Sequence, residues 1–321
     1  MDRREFIKKM FVLGLASSNL AGLVSGCRYA GLMVPERDGA KLGGLNRPDA
    51  LSIPIERPDL VIAGGNEPDA LIEKGLQALG GIKTFIKQGS LVVIKPNFSV
   101  PQRPEAACTT NPLLVSALVK RCLEAGAREV RVIDHPFTSG VMCLENTEMR
   151  RYAGDAGARV YVLGELSDKY YTRVQIGGKQ LQTAHFSRDV LDADLFINFP
   201  ILKHHVLTKL TMGMKNMMGL VWDRGVFHST DIHQAIADLA AFKKPHLIIM
   251  DAIRGIIDNG PTGPGTVRAY NQVIFGFDPV AVDAYGAGLF GLPPGSLGYL
   301  QLAAGMHLGQ LRWEQLKVVR V

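Results

Sequence analysis

Leu91-Val92-Val93-Ile94-Lys95-Pro96-Asn97 decides the architecture. A run of apolar, mostly β-branched residues with no polar alternation reads as a buried strand. Pro96 has no N–H to give to a ladder, so the strand stops there and delivers Lys95 and Asn97 to its carboxyl end. A helix pattern follows. Asn111 is a favoured N-cap, Pro112 suits the first helical position, and Leu113, Leu114, Ala117, Leu118 and Cys122 form an apolar stripe across 112–124. Val130–Asp134 is then the next strand.

The same alternation extends both ways. Leu60–Ala63 is a strand before a helix from Pro68 to about Leu79. Later come a helix over Glu145–Asp155, strands at Arg159–Leu163 and Leu195–Phe199, and a helix at Ile232–Phe242. A strand at Leu247–Asp251 and a helix at Asp278–Leu289 close the pattern. Strand–helix alternation predicts an α/β fold with a mostly parallel sheet and helices on both faces, either one domain over 58–321 or two fused α/β lobes. A hydrophobic content of 47% suffices for the core.

The first 27 residues read differently. Asp2-Arg3-Arg4-Glu5-Phe6-Ile7-Lys8-Lys9 is a twin-arginine block, followed by an apolar run from Met10 to Gly26 and by Val24-Ser25-Gly26-Cys27. This order predicts export by the route that carries folded proteins, with lipidation at Cys27. The run contains Ser17, Ser18 and Asn19 and is short for a membrane span. Residues 28–57, rich in Gly, Pro and charge, read as a tether. The expected location is the periplasm or cell envelope, on a membrane surface through the lipid.

Formal charge is +6, and 1–27 holds four basic and two acidic residues, so the rest carries a mild +4. With no basic run and no aromatic–basic interleaving, nucleic acid is not an expected partner. Beyond Cys27 stand Cys108, Cys122 and Cys143, without a C-x-x-C pair. An iron–sulfur cluster held by this chain alone is therefore not expected. Cys122 lies on a helix stripe as a core residue, which leaves Cys108 and Cys143 as the pair an oxidising compartment could join.

In parallel sheets ligands bind beyond the carboxyl ends of the strands. Lys95 and Asn97 stand at one such end, and Thr109-Thr110-Asn111 opens the following helix, whose N–H groups could hold a carboxylate or phosphate. Asp134 ends another strand beside His135. The densest cluster follows Leu195–Phe199: Pro200-Ile201-Leu202-Lys203-His204-His205, then Thr208 to Asn216 with Thr211 and Lys215. Asp251 ends a further strand, and Asn259-Gly260-Pro261 begins a glycine-rich loop that is not a P-loop. Asp283, among Val280, Val282 and Ala284, demands a buried partner. His228 and His233 are five apart, a poor match to helical metal spacing.

Together these stretches resemble the family known as domain of unknown function 362, over roughly residues 60–292. The carrying segments are Val92–Asn97, Thr109–Pro112, Pro200–His205 with Thr211–Gly219, and Asn259-Gly260-Pro261 with Asp278–Asp283. The family pattern is similar to Lys-x-His, which selects Lys203 and His205 over His204. Many members resemble carriers of a ferredoxin-type cysteine insert, which this chain lacks.

Two functions fit. One is an enzyme acting on a small anionic substrate, with Lys203, His205 and Lys215 catalytic and His205 as proton carrier. Lys95, Asn97, Thr109, Thr110, Asn111, Thr211, Asn216, Asn259 and Gly260 would bind the ligand, and Asp134 or Asp251 would orient it or hold a metal ion. No G-x-S-x-G nucleophile elbow or dinucleotide glycine fingerprint is present. The other is a lipid-tethered protein that binds or assembles an anion, metal or cofactor. Both require the basic side chains to meet at one mouth.

Overall fold

Apolar runs separated by helices build one eight-stranded sheet. The structure, a computed structural model, describes residues 57–321. The expected export signal over 1–27 with Cys27, and the expected tether up to residue 56, lie outside the described residues.

The strands are β1 (Leu60–Gly64), β2 (Leu91–Pro96), β3 (Glu129–Asp134), β4 (Arg159–Val162), β5 (Tyr171–Gln175) and β6 (Thr183–Ser187), then β7 (Leu195–Phe199), β8 (Lys203–His205), β9 (Lys209–Thr211), β10 (Leu247–Ile256), β11 (Val267–Gly276) and β12 (Val318–Arg320). The sheet order is β12-β1-β11-β10-β7-β2-β3-β4. All neighbours from β10 to β4 run parallel, as do β1 and β12, while β11 is antiparallel to both its neighbours. The sheet is mostly parallel, as read from the sequence. Arg57–Val321 form one compact unit rather than two lobes.

Both faces are covered. Val92 and Ile94 of β2 point to one core with Leu71 and Leu76 of the helix Pro68–Ala78 and Leu114 and Leu118 of the helix Pro112–Glu124. Val93 points to the other core, with Ile236 of the helix Ile232–Phe242 and Val280 and Ala284 of the helix Pro279–Phe290. The period-2 alternation of a strand explains this division. Cys122 is fully buried in the first core, and Cys108, Cys122 and Cys143 are all free thiols, so Cys108 and Cys143 are not joined.

Several elements depart from the sequence reading. β10 runs past Asp251 to Ile256 and pairs with β11, whose exposed first half (Val267-Arg268-Ala269) resembles a loop in sequence. A Cβ at Gly255 would collide with the Leu202 carbonyl, so only glycine lets β10 pass there. The helix expected over Glu145–Asp155 is two helices, Gly140–Asn146 and Met149–Asp155. The Thr147 hydroxyl bonds the Cys143 carbonyl at 2.6 Å, and Glu148 turns left-handed at φ 56°, which breaks the helical path. Among the described residues no helix is long and apolar enough to cross a membrane.

Candidate functional site

The carboxyl ends of β2, β3 and β7 are tied into a rim. Thr110 Oγ1 donates to the Phe199 carbonyl at 2.8 Å and accepts the Asn97 N–H at 2.8 Å. Asp134, at the end of β3, accepts the N–H groups of Phe98 at 3.0 Å and His135 at 2.9 Å. Above this rim Gly213 opens the short helix Gly213–Asn216, whose first N–H groups are received by Asp283 at 2.7 and 3.0 Å. Asp283 thus has the buried partners its apolar setting demands, and burial pushes its pKa up to about 7.

Between the rim and this helix is a cavity of about 30 Å³, room for about two water-sized spheres. Lys95, Lys203, His205, Thr211, Lys215 and Arg224 all face it, with Asp134 as its carboxylate. The basic side chains read from separate strand ends therefore do share one mouth. Their roles in it differ.

Lys95 is fully committed. Its ammonium lies 2.7 Å from Asp134, 2.7 Å from the Pro96 carbonyl and 2.9 Å from Asn216 Oδ1. Burial pushes it below its ordinary range and the Asp134 carboxylate pulls it back up. Asn216 is equally committed, since its amide also donates to the Lys95 carbonyl at 3.1 Å and Asn198 at 2.8 Å. Gly219 is pressed against this ion pair. A Cβ there would collide with Asp134 Oδ1 and come within 2.9 Å of Lys95 Nζ. Gly219→Ala should split the pair and cost about 2 kcal/mol, visible as a lowered Tm. An unchanged Tm would show that the pair does not depend on this close approach.

Lys203 donates to the carbonyls of Cys108 at 2.5 Å and Pro261 at 3.0 Å and to Asn97 Oδ1 at 3.2 Å. Burial lowers its pKa to about 8. Lys215, only 6% exposed, has a different setting: its ammonium bonds the Met218 sulfur at 3.4 Å, and no carboxylate pairs with it among the described residues. Burial, then the charges of Lys203 and Arg224, bring its pKa to about 7. The Thr211 hydroxyl, which lines the same cavity, is buried and lacks a hydrogen-bond partner among the described residues.

The two histidines that line the cavity, His205 and His135, are held neutral. His205 Nδ1 accepts the N–H groups of Leu207 at 3.1 Å and Thr208 at 3.4 Å, which places the imidazole proton on Nε2. Burial holds its pKa well below the ordinary value, reinforced by Lys215 and Lys203. His135 stacks on Trp222 at 5.0 Å and 7° and meets the Tyr171 hydroxyl at 3.2 Å, and burial brings its pKa to about 4.

Other expected site residues lie elsewhere or serve the frame. Thr110 is a cross-link between strand ends. Asn111 caps its helix by accepting the Leu113 N–H at 3.0 Å, and the carboxylate at this helix start is the protein's own: Asp251 receives the Asn111 N–H at 2.8 Å. Asp251 and Thr109 line a second, shallower pocket that Asp134 does not share. Asp134 and Asp251 thus line different pockets. Among the described residues no three His, Cys, Asp or Glu side chains converge for a metal. The loop at Asn259 reaches the cavity through the Pro261 carbonyl, and the Gly260 N–H is bonded by His204 Nδ1 at 3.0 Å.

Sequence reasoning misses Arg224. Its guanidinium donates to the carbonyls of His135 and Pro136, both at 2.6 Å, and lies over Phe137 at 4.9 Å, tying one wall of the cavity to the other. It stands on a connecting segment, not at a strand end. Only the Trp222-Asp223-Arg224-Gly225 string marks it.

The family described as "Domain of unknown function (DUF362)" matches residues 92–288, more than half of the chain, and the chain belongs to that family. It is 29% identical over 194 residues to the thylakoid-associated protein sll1697 of Synechocystis sp., a match covering 58% of this chain and 59% of that protein. Among solved structures it is similar to the lactate racemase apoprotein of Thermoanaerobacterium thermosaccharolyticum, with 14% identity and a TM-score of 0.44 over 74% of this chain and 58% of that one. A Thermotoga maritima protein gives 12% identity and a TM-score of 0.44 over 75% and 60%. The chain thus spans about three fifths of the length of each protein it matches.

Proposed function

We propose that this chain, as a member of the DUF362 family, binds a small anionic molecule in the Lys203–Lys215–Arg224 cavity and transforms it by proton transfer. The observation that carries this reading is Lys215, a buried ammonium without a carboxylate among the described residues, set beside an unpartnered Thr211 hydroxyl. A buried charge left without a counter-ion is costly. A ligand carboxylate or similar anion supplies the missing charge. Lys203, while protonated, and Arg224 add positive charge, and the narrow cavity keeps the ligand small.

The protonation chemistry favours Lys215 over His205 as the proton carrier. His205 is held neutral with Nδ1 already accepting backbone N–H groups, so it suits orientation. Lys215, at about 7, gives or takes a proton near neutrality. A non-catalytic binding role uses the same residues and is separated by turnover.

Titration calorimetry with formate tests the binding half. Formate stays ionised across the range, while free Lys215 and Lys203 lose their protons through about 7 and about 8. A bound anion favours the charged lysines, so affinity should fall by at least about tenfold between pH 6 and pH 9. A flat profile, or no binding, contradicts the reading.

The chain is also proposed to be exported by the twin-arginine route and lipidated at Cys27, on the strength of Arg3-Arg4, the Met10–Gly26 run and the small residues before Cys27. The thylakoid association named for the Synechocystis relative is in keeping with a membrane surface. Incorporation of labelled palmitate in cells, abolished by Cys27→Ser, is the expected result. Equal labelling of the variant would refute the anchor.

A further inference from the structure

The three pocket lysines are unequal in a way that simple anion binding does not require. Lys95 is neutralised by Asp134 and held by two further oxygens. Lys203 is held by three oxygens. Each has oxygens in place to receive its N–H donors. Among the described residues, the hydrogen-bond acceptor of Lys215 is a thioether sulfur, a weak acceptor that asks for no ammonium. The groups whose charge bears on it are Lys203, Arg224, His205, His228 and His233, all basic. Met214, Met217 and Met218 around it are buried. A desolvated lysine among other cations is the setting in which an amine becomes a nucleophile.

We infer that Lys215 forms an imine with the carbonyl carbon of a small oxo acid, whose carboxylate is drawn into the cavity by the positive charges of Lys203 and Arg224. This rests on the anion-binding reading of the same cavity and names its substrate class. The Lys215 nitrogen bonds to the carbonyl carbon, and the carbonyl electron pair moves to oxygen beside the Thr211 hydroxyl. Lys215 attacks as the neutral amine, and the oxygen then leaves as water with one proton from that nitrogen and one from solvent. Amine, carbonyl and one solvent proton become one positively charged imine and one water, so atoms and charge balance without any oxidant. The retained positive charge is an electron sink that acidifies the neighbouring carbon, so Lys215 acts here as nucleophile in place of proton carrier.

The test uses the full chain, glyoxylate as the smallest oxo acid, and sodium borohydride, which reduces an imine to a stable amine. Peptide mass mapping should find one reductively attached group, at Lys215, and excess formate should suppress it. Attachment should be fastest between pH 7 and pH 8, where Lys215 is an amine and Lys203 still an ammonium. Lys215→Gln should remove the product. Should that variant fail to fold, the map of the unaltered chain decides alone. Attachment at exposed lysines such as Lys74 and Lys179 at the same rate as at Lys215, or none at Lys215, overturns the inference. If formate still binds to a chain that traps nothing, the imine fails and the anion site survives. If neither is seen, both fail.

Discussion

Asp134→Asn is expected to destabilise the protein by about 3–5 kcal/mol, the usual cost of removing one partner from a buried ion pair. Lys95 and Asp134 are 1% and 0% exposed, so water cannot replace the lost carboxylate. The change also halves the acceptor capacity at the end of β3, where Asp134 takes the N–H groups of both Phe98 and His135 through different oxygens. One amide oxygen cannot serve both and face Lys95 as well. Urea unfolding measures the loss directly. Adding Lys95→Met should recover part of it, because the orphaned charge is then gone. A loss below about 1 kcal/mol would show that Lys95 is carried as a neutral amine. The ion pair would then not be the anchor of the cavity floor.

The second large effect is expected at Lys203. Lys203→Met removes the cation that holds the Cys108 and Pro261 carbonyls together with Asn97. Methionine fills similar volume without donors, so three buried acceptors lose their bond at once. The change also removes a buried positive charge that faces the cavity, and an interaction with a charged group contributes about 1.5–3 kcal/mol, so formate affinity should fall by about tenfold to a hundredfold. Calorimetry at pH 6 measures this with Lys215 charged in both proteins. A variant that binds formate as tightly as the unaltered chain would reduce Lys203 to a structural tie between β8 and the loop at Pro261.

The fold was legible where burial is uniform. Leu91–Ile94 is hydrophobic without interruption, and Val130–Ile133 and Leu195–Phe199 are broken only by Arg131 and Asn198, because both faces of the sheet are covered; the helices between them carry clear stripes and caps. β11 escaped because its first half is polar and exposed, with Asn271 left-handed at φ 53°. The break at Glu148 escaped because a threonine bonding back to Cys143 leaves no proline or glycine signature. For the cavity, the rule of strand carboxyl ends located Lys95, Asn97, Asp134, Lys203 and His205. It could not separate residues that face the cavity from those that brace it. Thr110 and Asn111 look like ligand groups in sequence because the atoms that cross-link strands are the same atoms that bind ligands. Arg224 lay beyond the rule because it closes the cavity from a connecting segment. The difference between Lys215 and the other lysines depends on which oxygens lie within 3.5 Å, and only the folded chain decides that.

The most direct measurement is diffraction at the bromine absorption edge from a crystal of the protein soaked in bromide at pH 6. Bromide is small enough for a cavity of about 30 Å³ and reports its position by anomalous scattering. A strong anomalous peak in contact with the Lys215 ammonium and the Thr211 hydroxyl is the expected result. Bromide only at exposed lysines and arginines, with none between Lys203, Lys215 and Arg224, would contradict the assignment of this cavity as an anion site.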